Sequence, residues 1–132
     1  MIKKRKILIV IADYYSAISN SLLDSAKKTL IKPFKLRVIT VPGVFEIPVI
    51  ISKNIKKFDA FIALGCVIKG ETPHFDFISK ASIEAIMNLS VENKKLIANG
   101  IITCLNMKQA IARKNNKGVE AANAVNSVFD VL

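Results

Sequence analysis

Ala60-Phe-Ile-Ala-Leu-Gly-Cys-Val-Ile-Lys-Gly-Glu-Thr-Pro-His74-Phe-Asp-Phe77 is the stretch that decides the fold. The apolar run Ala60 to Leu64 reads as a buried strand, Gly65 to His74 as a glycine loop, and the residues from His74 onward as the start of a helix. Parallel α/β proteins place their chemistry in such a loop, between a strand's carboxyl end and the next helix. Gly65 and Gly70 are expected to turn the backbone tightly and expose its N–H groups, and Thr72 adds a hydroxyl. The chain's only histidine, His74, stands at the helix start, so a small anion held here lies beside a proton carrier.

Outward from this stretch the pattern repeats. Lys6 to Ala12 is a β-branched run with no polar alternation, as expected of a strand buried on both faces. Ser16 offers an N-cap for a helix in which Ile18, Leu22, Ala26 and Leu30 recur every four residues until Pro33 stops it. Leu36 to Val41 is a second strand, closed by Pro42-Gly43, and Val44 to Lys57 a second helix whose start Pro48 bends or delays. The third strand runs from Asp59 to Cys66, and the third helix turns Ile78, Ala81, Ala85 and Leu89 inward. Lys95 to Thr103 is a fourth strand, and Asn106-Met-Lys-Gln109 has the form of a capping box for a short helix ending near Lys114. Lys117-Gly118 then introduces a last helix with Val119, Ala122, Val125 and Phe129 inward. Strands alternating with helices predict a flavodoxin-like three-layer α/β/α sandwich with a four-stranded parallel sheet, as a single domain over residues 1–132.

Composition narrows the function classes. The chain is 52% apolar, high for 132 residues, yet no run approaches the ~20 apolar residues of a membrane span. The excess is expected to lie in buried strands and in an interface with a second copy. Met-Ile-Lys-Lys-Arg-Lys before Ile7 to Ala12 mimics a signal peptide, but Asp13 cuts the apolar stretch short, which argues against secretion. Cys66 and Cys104 have neither metal spacing nor a disulfide framework and suit reduced thiols in a cytoplasmic protein. The net charge of +10 favours anionic ligands. In the sequence only Lys3 to Lys6 cluster, without interleaved aromatics, so nucleic acid is not the expected partner.

Three segments fall at strand ends and are expected to build one site: Asp13-Tyr14-Tyr15, Pro42-Gly43-Val44-Phe45-Glu46, and the Gly65 to His74 loop. His74 is the natural general acid or base, or else a helix-cap histidine. Phe45 can stack on a planar ring or simply fill core, and Glu46 beside it can accept from N–H groups. Arg113 offers a bidentate fork for phosphate, or is a solvated charge near a helix end. Cys66, eight residues before His74, makes a thiol nucleophile conceivable, though a packed thiol suits a buried strand better.

Val41-Pro-Gly-Val-Phe-Glu-Ile-Pro48, Leu64-Gly-Cys-Val-Ile-Lys-Gly-Glu-Thr-Pro-His-Phe-Asp76, Gly100-Ile-Ile-Thr103, Gln109-Ala-Ile-Ala-Arg113 and Lys117-Gly118 occur in this order. In this the chain resembles the 6,7-dimethyl-8-ribityllumazine synthases along nearly its whole length. The resemblance implies condensation of 5-amino-6-(D-ribitylamino)uracil with 3,4-dihydroxy-2-butanone 4-phosphate, releasing phosphate and water, in the penultimate step of riboflavin biosynthesis. It implies no cofactor and no metal. By motif, Tyr14 stacks on the pyrimidine, Val44, Phe45 and Glu46 hold the ribityl chain and ring edges, and Val67 and Ile68 line the ring pocket. Glu71 and Thr72 meet the phosphate and His74 shuttles protons, while Asn99, Arg113 and Lys117 reach the site from a neighbouring subunit, Arg113 on the phosphate.

The implied assembly is a homo-oligomer, either a homopentamer or a sixty-subunit shell, the latter able to associate with riboflavin synthase. The chain departs from the family at four places. Tyr14-Tyr15 stands where many members have Phe-Asn, Asn99 replaces a common phenylalanine, Leu105 a usual acid, and only three residues separate Arg113 from Lys117. Two rival classes remain on the sequence: a non-catalytic module, either a flavin- or phosphate-binding protein or a scaffold that kept the fold and interface alone, and a Cys66/His74 acyl-transfer or hydrolase enzyme.

Overall fold

A computed structural model describes residues 4–31 and 33–131. Four parallel strands, β1 (Lys6–Ala12), β2 (Lys35–Val41), β3 (Ala60–Ile68) and β4 (Ile97–Cys104), lie in the order β2-β1-β3-β4. The register pairs Lys6 with Lys35, Ile7 with Ala60 and Phe61 with Ile97. Helices α1 (Ser16–Thr29), α2 (Ile47–Asn54) and α3 (His74–Asn93) make the three parallel crossovers, and with α4 (Met107–Val131), which follows β4, they cover both faces. The α/β sandwich is the one the sequence predicts.

The uniform apolar strands build two cores because their side chains alternate between faces. Ile7, Ile9 and Ile11 join Ile62 and Leu64 under α1 and α4, whereas Leu8, Val10, Phe61 and Ala63 lie under α2 and α3. Each buried Ile, Leu, Val or Phe among these contributes roughly 1.5–3 kcal/mol of transfer free energy. Buried polar groups in the α1–α4 layer are paired. Ser19 Oγ donates to Ala12 O at 2.5 Å, and Asn126 donates from Nδ2 to Thr29 O at 2.9 Å, which ties the end of α1 to α4.

Four expectations are corrected. The predicted short helix to Lys114 and last helix from Gly118 are one continuous helix, α4. Its start keeps the capping geometry: Gln109 N donates to Asn106 Oδ1 at 2.9 Å, and Gln109 Oε1 accepts from Leu105 N at 2.8 Å. Gly118 does not break the helix but brings it against α1, since a Cβ there would sit 2.5 Å from Leu22 O and collide with Ser25 Oγ. Close packing offsets the ~1 kcal/mol that a mid-helix glycine costs.

Ala81 is exposed on α3, where the inward face is carried by Ser82 and Ile86 with Ile78, Ala85 and Leu89 half-buried. Val119 is likewise only half-buried, because Gly118, Ala121, Ala122, Val125 and Phe129 form the stripe that α4 buries. Ser16 is the first helical residue and makes no side-chain cap; Tyr15 takes the N-cap position. Pro48 delays the second helix as expected: Val44–Glu46 forms a 3-10 turn, and α2 begins at Ile47. Lys3, part of the basic run in the sequence, lies outside the described residues.

Candidate active site

The carboxyl ends of β1, β2 and β3 point to the same pole, and each continues into a segment that lines one cavity of about 570 Å³. That volume suits a substrate of drug-like size, for which pockets run from about 300 to 1,000 Å³. After β1, Tyr14 and Tyr15 supply two rings packed edge to face, centroids 4.9 Å apart. After β2, the turn presents Gly43, Val44, Phe45 and Glu46. Val44 is buried while Phe45 is 60% exposed, so Val44 anchors the turn in the core and leaves Phe45 standing free at the cavity. An aromatic face left in water next to a cavity favours a planar ligand over plain core packing.

The end of β3 forms the floor with Cys66, Val67 and Ile68. Here the glycine expectation is corrected. Gly65 lies inside β3 rather than in a loop, and no glycine among the described residues has positive φ. Its missing Cβ makes room instead: one built there would sit 2.7 Å from Val44 Cγ2 and 3.2 Å from Ala12 Cβ. Thus Gly65 allows the Val44 turn to close over the strand. The loop proper is Lys69 to Pro73, tied to the end of β4 by Lys69 N donating to Cys104 O at 2.9 Å. Thr72 Oγ1 accepts from His74 N at 3.4 Å, turning the loop into α3. His74 lines the cavity and Ile78, one turn later, lines it too, while Glu71 and Thr72 are exposed on the loop above.

A second cavity, of about 330 Å³, lies between β4 and α4 and is lined by Ile101, Ile102, Thr103, Arg113, Asn116, Lys117 and Glu120. Arg113 Nη1 donates to Thr103 O at 3.3 Å, which holds the guanidinium at the strand's end. Lys117 Nζ and Glu120 Oε2 form an ion pair of 3.8 Å. Asn99 is exposed on β4, its Oδ1 accepting from Ile101 N at 3.0 Å. None of the residues lining this cavity lines the first. The structure therefore brings Tyr14, Val44, Phe45, Glu46, Val67, Ile68 and His74 together, and holds Asn99, Arg113 and Lys117 on a different part of the same chain.

Cys66 sits in the first cavity, but its electrostatics oppose a nucleophilic role. Burial, then the neighbouring Cys104, push the thiol up to about 12, so it stays protonated at neutral pH. Burial also raises the Tyr15 hydroxyl, with smaller contributions from Tyr14 and the two cysteines. Among the described residues no three His, Cys, Asp or Glu side chains form a group able to hold a metal ion, and no helix is long and apolar enough to cross a membrane.

Ile78, Asn116 and Glu120 are cavity-lining residues that the sequence reading did not select, whereas Tyr15 lies in the segment expected at the site. Ile78 was findable, since it follows His74 by one helical turn. Asn116 and Glu120 became visible only once α4 proved continuous, which places Arg113, Asn116, Lys117 and Glu120 on one face.

A parallel sheet with a ring-sized cavity at its carboxyl pole, bordered by aromatic side chains, a carboxylate and one imidazole, defines a small-molecule enzyme of the α/β class. A sequence model of the 6,7-dimethyl-8-ribityllumazine synthase family matches residues 4–132. Curated relatives named 6,7-dimethyl-8-ribityllumazine synthase include those of Bartonella henselae, 45% identical over 92% of this chain and 84% of its own length, and Zymomonas mobilis, 39% identical over 96% and 95%. The Methylobacterium radiotolerans protein of the same name is 42% identical over 94% of this chain and 80% of its own. The chain belongs to the 6,7-dimethyl-8-ribityllumazine synthase family, transferases of the condensation step in riboflavin biosynthesis.

Proposed function

We propose that this chain condenses 5-amino-6-(D-ribitylamino)uracil with 3,4-dihydroxy-2-butanone 4-phosphate at a site shared between adjacent subunits. The pyrimidine lies in the first cavity, stacked on Tyr14, with Val67 and Ile68 beneath it and Val44, Phe45 and Glu46 along the ribityl chain and ring edge. His74 moves protons as the amine adds to the carbonyl and as phosphate and water leave. The exposed loop carrying Glu71 and Thr72 meets the phosphate from one side. Arg113 meets it from the other, delivered with Lys117 and Asn99 by the next subunit.

The observation that carries this reading is the division of the chemistry. The first cavity is lined by the imidazole and the aromatic rings without a lysine or arginine, whereas the second holds the arginine and lysine without either. A phosphorylated substrate needs both. A homopentameric ring in the cytoplasm is the assembly proposed, and a closed shell of such rings could associate with riboflavin synthase. Supporting an interface of this kind, Val49 on α2 and Phe77, Met87 and Val91 on α3 leave large apolar side chains in water, from 53% to 68% exposed. Mixing purified protein with the two substrates and following lumazine absorbance tests the reaction. Turnover no faster than the spontaneous condensation would refute it.

A further inference from the structure

At the opposite pole of the sheet the structure gathers charges that the sequence scatters. Lys6 opens β1, and Lys35 and Arg37 open β2, with Lys6 and Lys35 directly paired in register. Lys56 and Lys57 occupy the turn after α2. These five cations line one cavity of about 610 Å³. The helix α2 ends at Asn54, and the first half of the edge strand β2 is exposed.

The cations of this cavity outnumber the acids beside them among the described residues. None of the five side chains forms an ion pair with a described residue. Asp59, the acid next to the turn, accepts from Lys6 N through Oδ2 at 2.7 Å and sets one carboxylate against the five cations, so the pole keeps a cationic excess. Lys95 adds a further cation beside the same turn, donating from Nζ to Ile55 O at 2.7 Å. Like charges held together cost stability and concentrate anions from solution until a counter-charge fills the gap between them.

We infer that this pole is a second anion site, separate from the catalytic one, and that its ligand is a short condensed phosphate chain. Several cations on three segments around so large a space suit a ligand carrying several phosphoryl groups better than a single phosphate. Arg37 supplies a planar fork for adjacent oxygens, and the four lysines supply mobile point charges. The cavity offers no stacking platform for nucleobases, which single-stranded nucleic acids require. Its one aromatic lining residue, Phe58, is 9% exposed and packed against Phe61 at 6.1 Å. A free polyphosphate and the triphosphate tail of a nucleotide share the chemistry that the site reads.

The test is calorimetric titration of the full-length protein with sodium tripolyphosphate, with ATP and with a short single-stranded RNA. Tripolyphosphate is expected to bind, to weaken as salt is raised, and to bind at least about tenfold more weakly to a Lys35→Gln/Arg37→Gln/Lys57→Gln variant. Lumazine formation by that variant is expected to be unchanged, which also reports an intact fold. Arg113→Gln should leave tripolyphosphate binding in place. ATP binding as tightly as tripolyphosphate assigns the site to a nucleotide tail, and weaker ATP binding assigns it to free condensed phosphate. The inference is overturned if the triple variant binds as the native protein does, if Arg113→Gln abolishes binding, or if RNA outcompetes tripolyphosphate with the same sensitivity to the triple variant.

Discussion

The two cavities at the carboxyl half of the sheet are made of opposite materials. The first is bordered by loops after β1 and β2 and by β3 with the start of α3, and holds rings, an imidazole and a carboxylate. The second is a cleft between regular elements, β4 and α4, and holds a guanidinium, an ammonium, an amide and a carboxylate. Loops can offer ring faces and backbone to a planar substrate because they are not committed to covering the core. A long helix carries cations well, since it can space them along one exposed face without burying charge. On the proposed reading, each cavity supplies half of what a reaction between a pyrimidine and a phosphorylated ketone requires.

The comparison breaks most visibly in mixed assemblies. A His74→Ala/Phe45→Ala variant and an Arg113→Ala/Lys117→Ala variant should each lose about a hundredfold or more in turnover. Unfolded together and refolded, they should regain activity wherever one chain's intact first cavity meets its neighbour's intact second. Verified mixed oligomers no more active than the average of the two pure variants would place the whole site within one chain.

A narrower effect is expected of His74→Ala alone, on the order of a hundredfold in kcat rather than complete loss, because orientation of the two substrates survives the change. Steady-state rates measured above the spontaneous reaction decide this; turnover equal to that background would make His74 indispensable. Arg113→Lys should raise KM for the butanone phosphate about tenfold while that for the pyrimidine stays near its native value, since the ammonium keeps the charge but loses the fork. Equal changes in both constants would remove Arg113 from the phosphate.

The smallest effect concerns Cys66. A thiol pushed up to about 12 by burial and by Cys104 is protonated through the neutral range, and its thiolate grows only as pH climbs toward that value. Iodoacetamide at about pH 8 should leave Cys66 unlabelled in the folded protein and activity intact, whereas the unfolded chain should react. Rapid labelling with parallel loss of activity would revive the thiol nucleophile.

The run Lys6 to Ala12 was legible as a strand, with its observed ends, because unbroken β-branched sequence has no other stable use in a small α/β protein. His74 was legible as a helix start at the cavity for a similarly local reason. Gly65 and Gly118 were misread in the same way. Both look like backbone punctuation, yet each serves a close approach, Gly65 to Val44 and Gly118 to α1, between segments distant in sequence or packed across a layer. Ala81 was placed inward by spacing alone, and a shift of one residue to Ser82 and Ile86 reflects how α3 rotates to pack over the sheet.

Local pattern by itself determined the order of strands and helices, the parallel sheet and the pole at which ligands gather, because periodicity and chain reversal are properties of neighbouring residues. The tertiary structure decided what no local pattern contains: that Arg113 and Lys117 stand in a different cavity from His74, and that Lys6, Lys35, Arg37, Lys56 and Lys57 converge at the far end of the sheet. Both outcomes depend on strand order and on where α2 and α4 end, which packing of the two cores sets and sequence spacing does not.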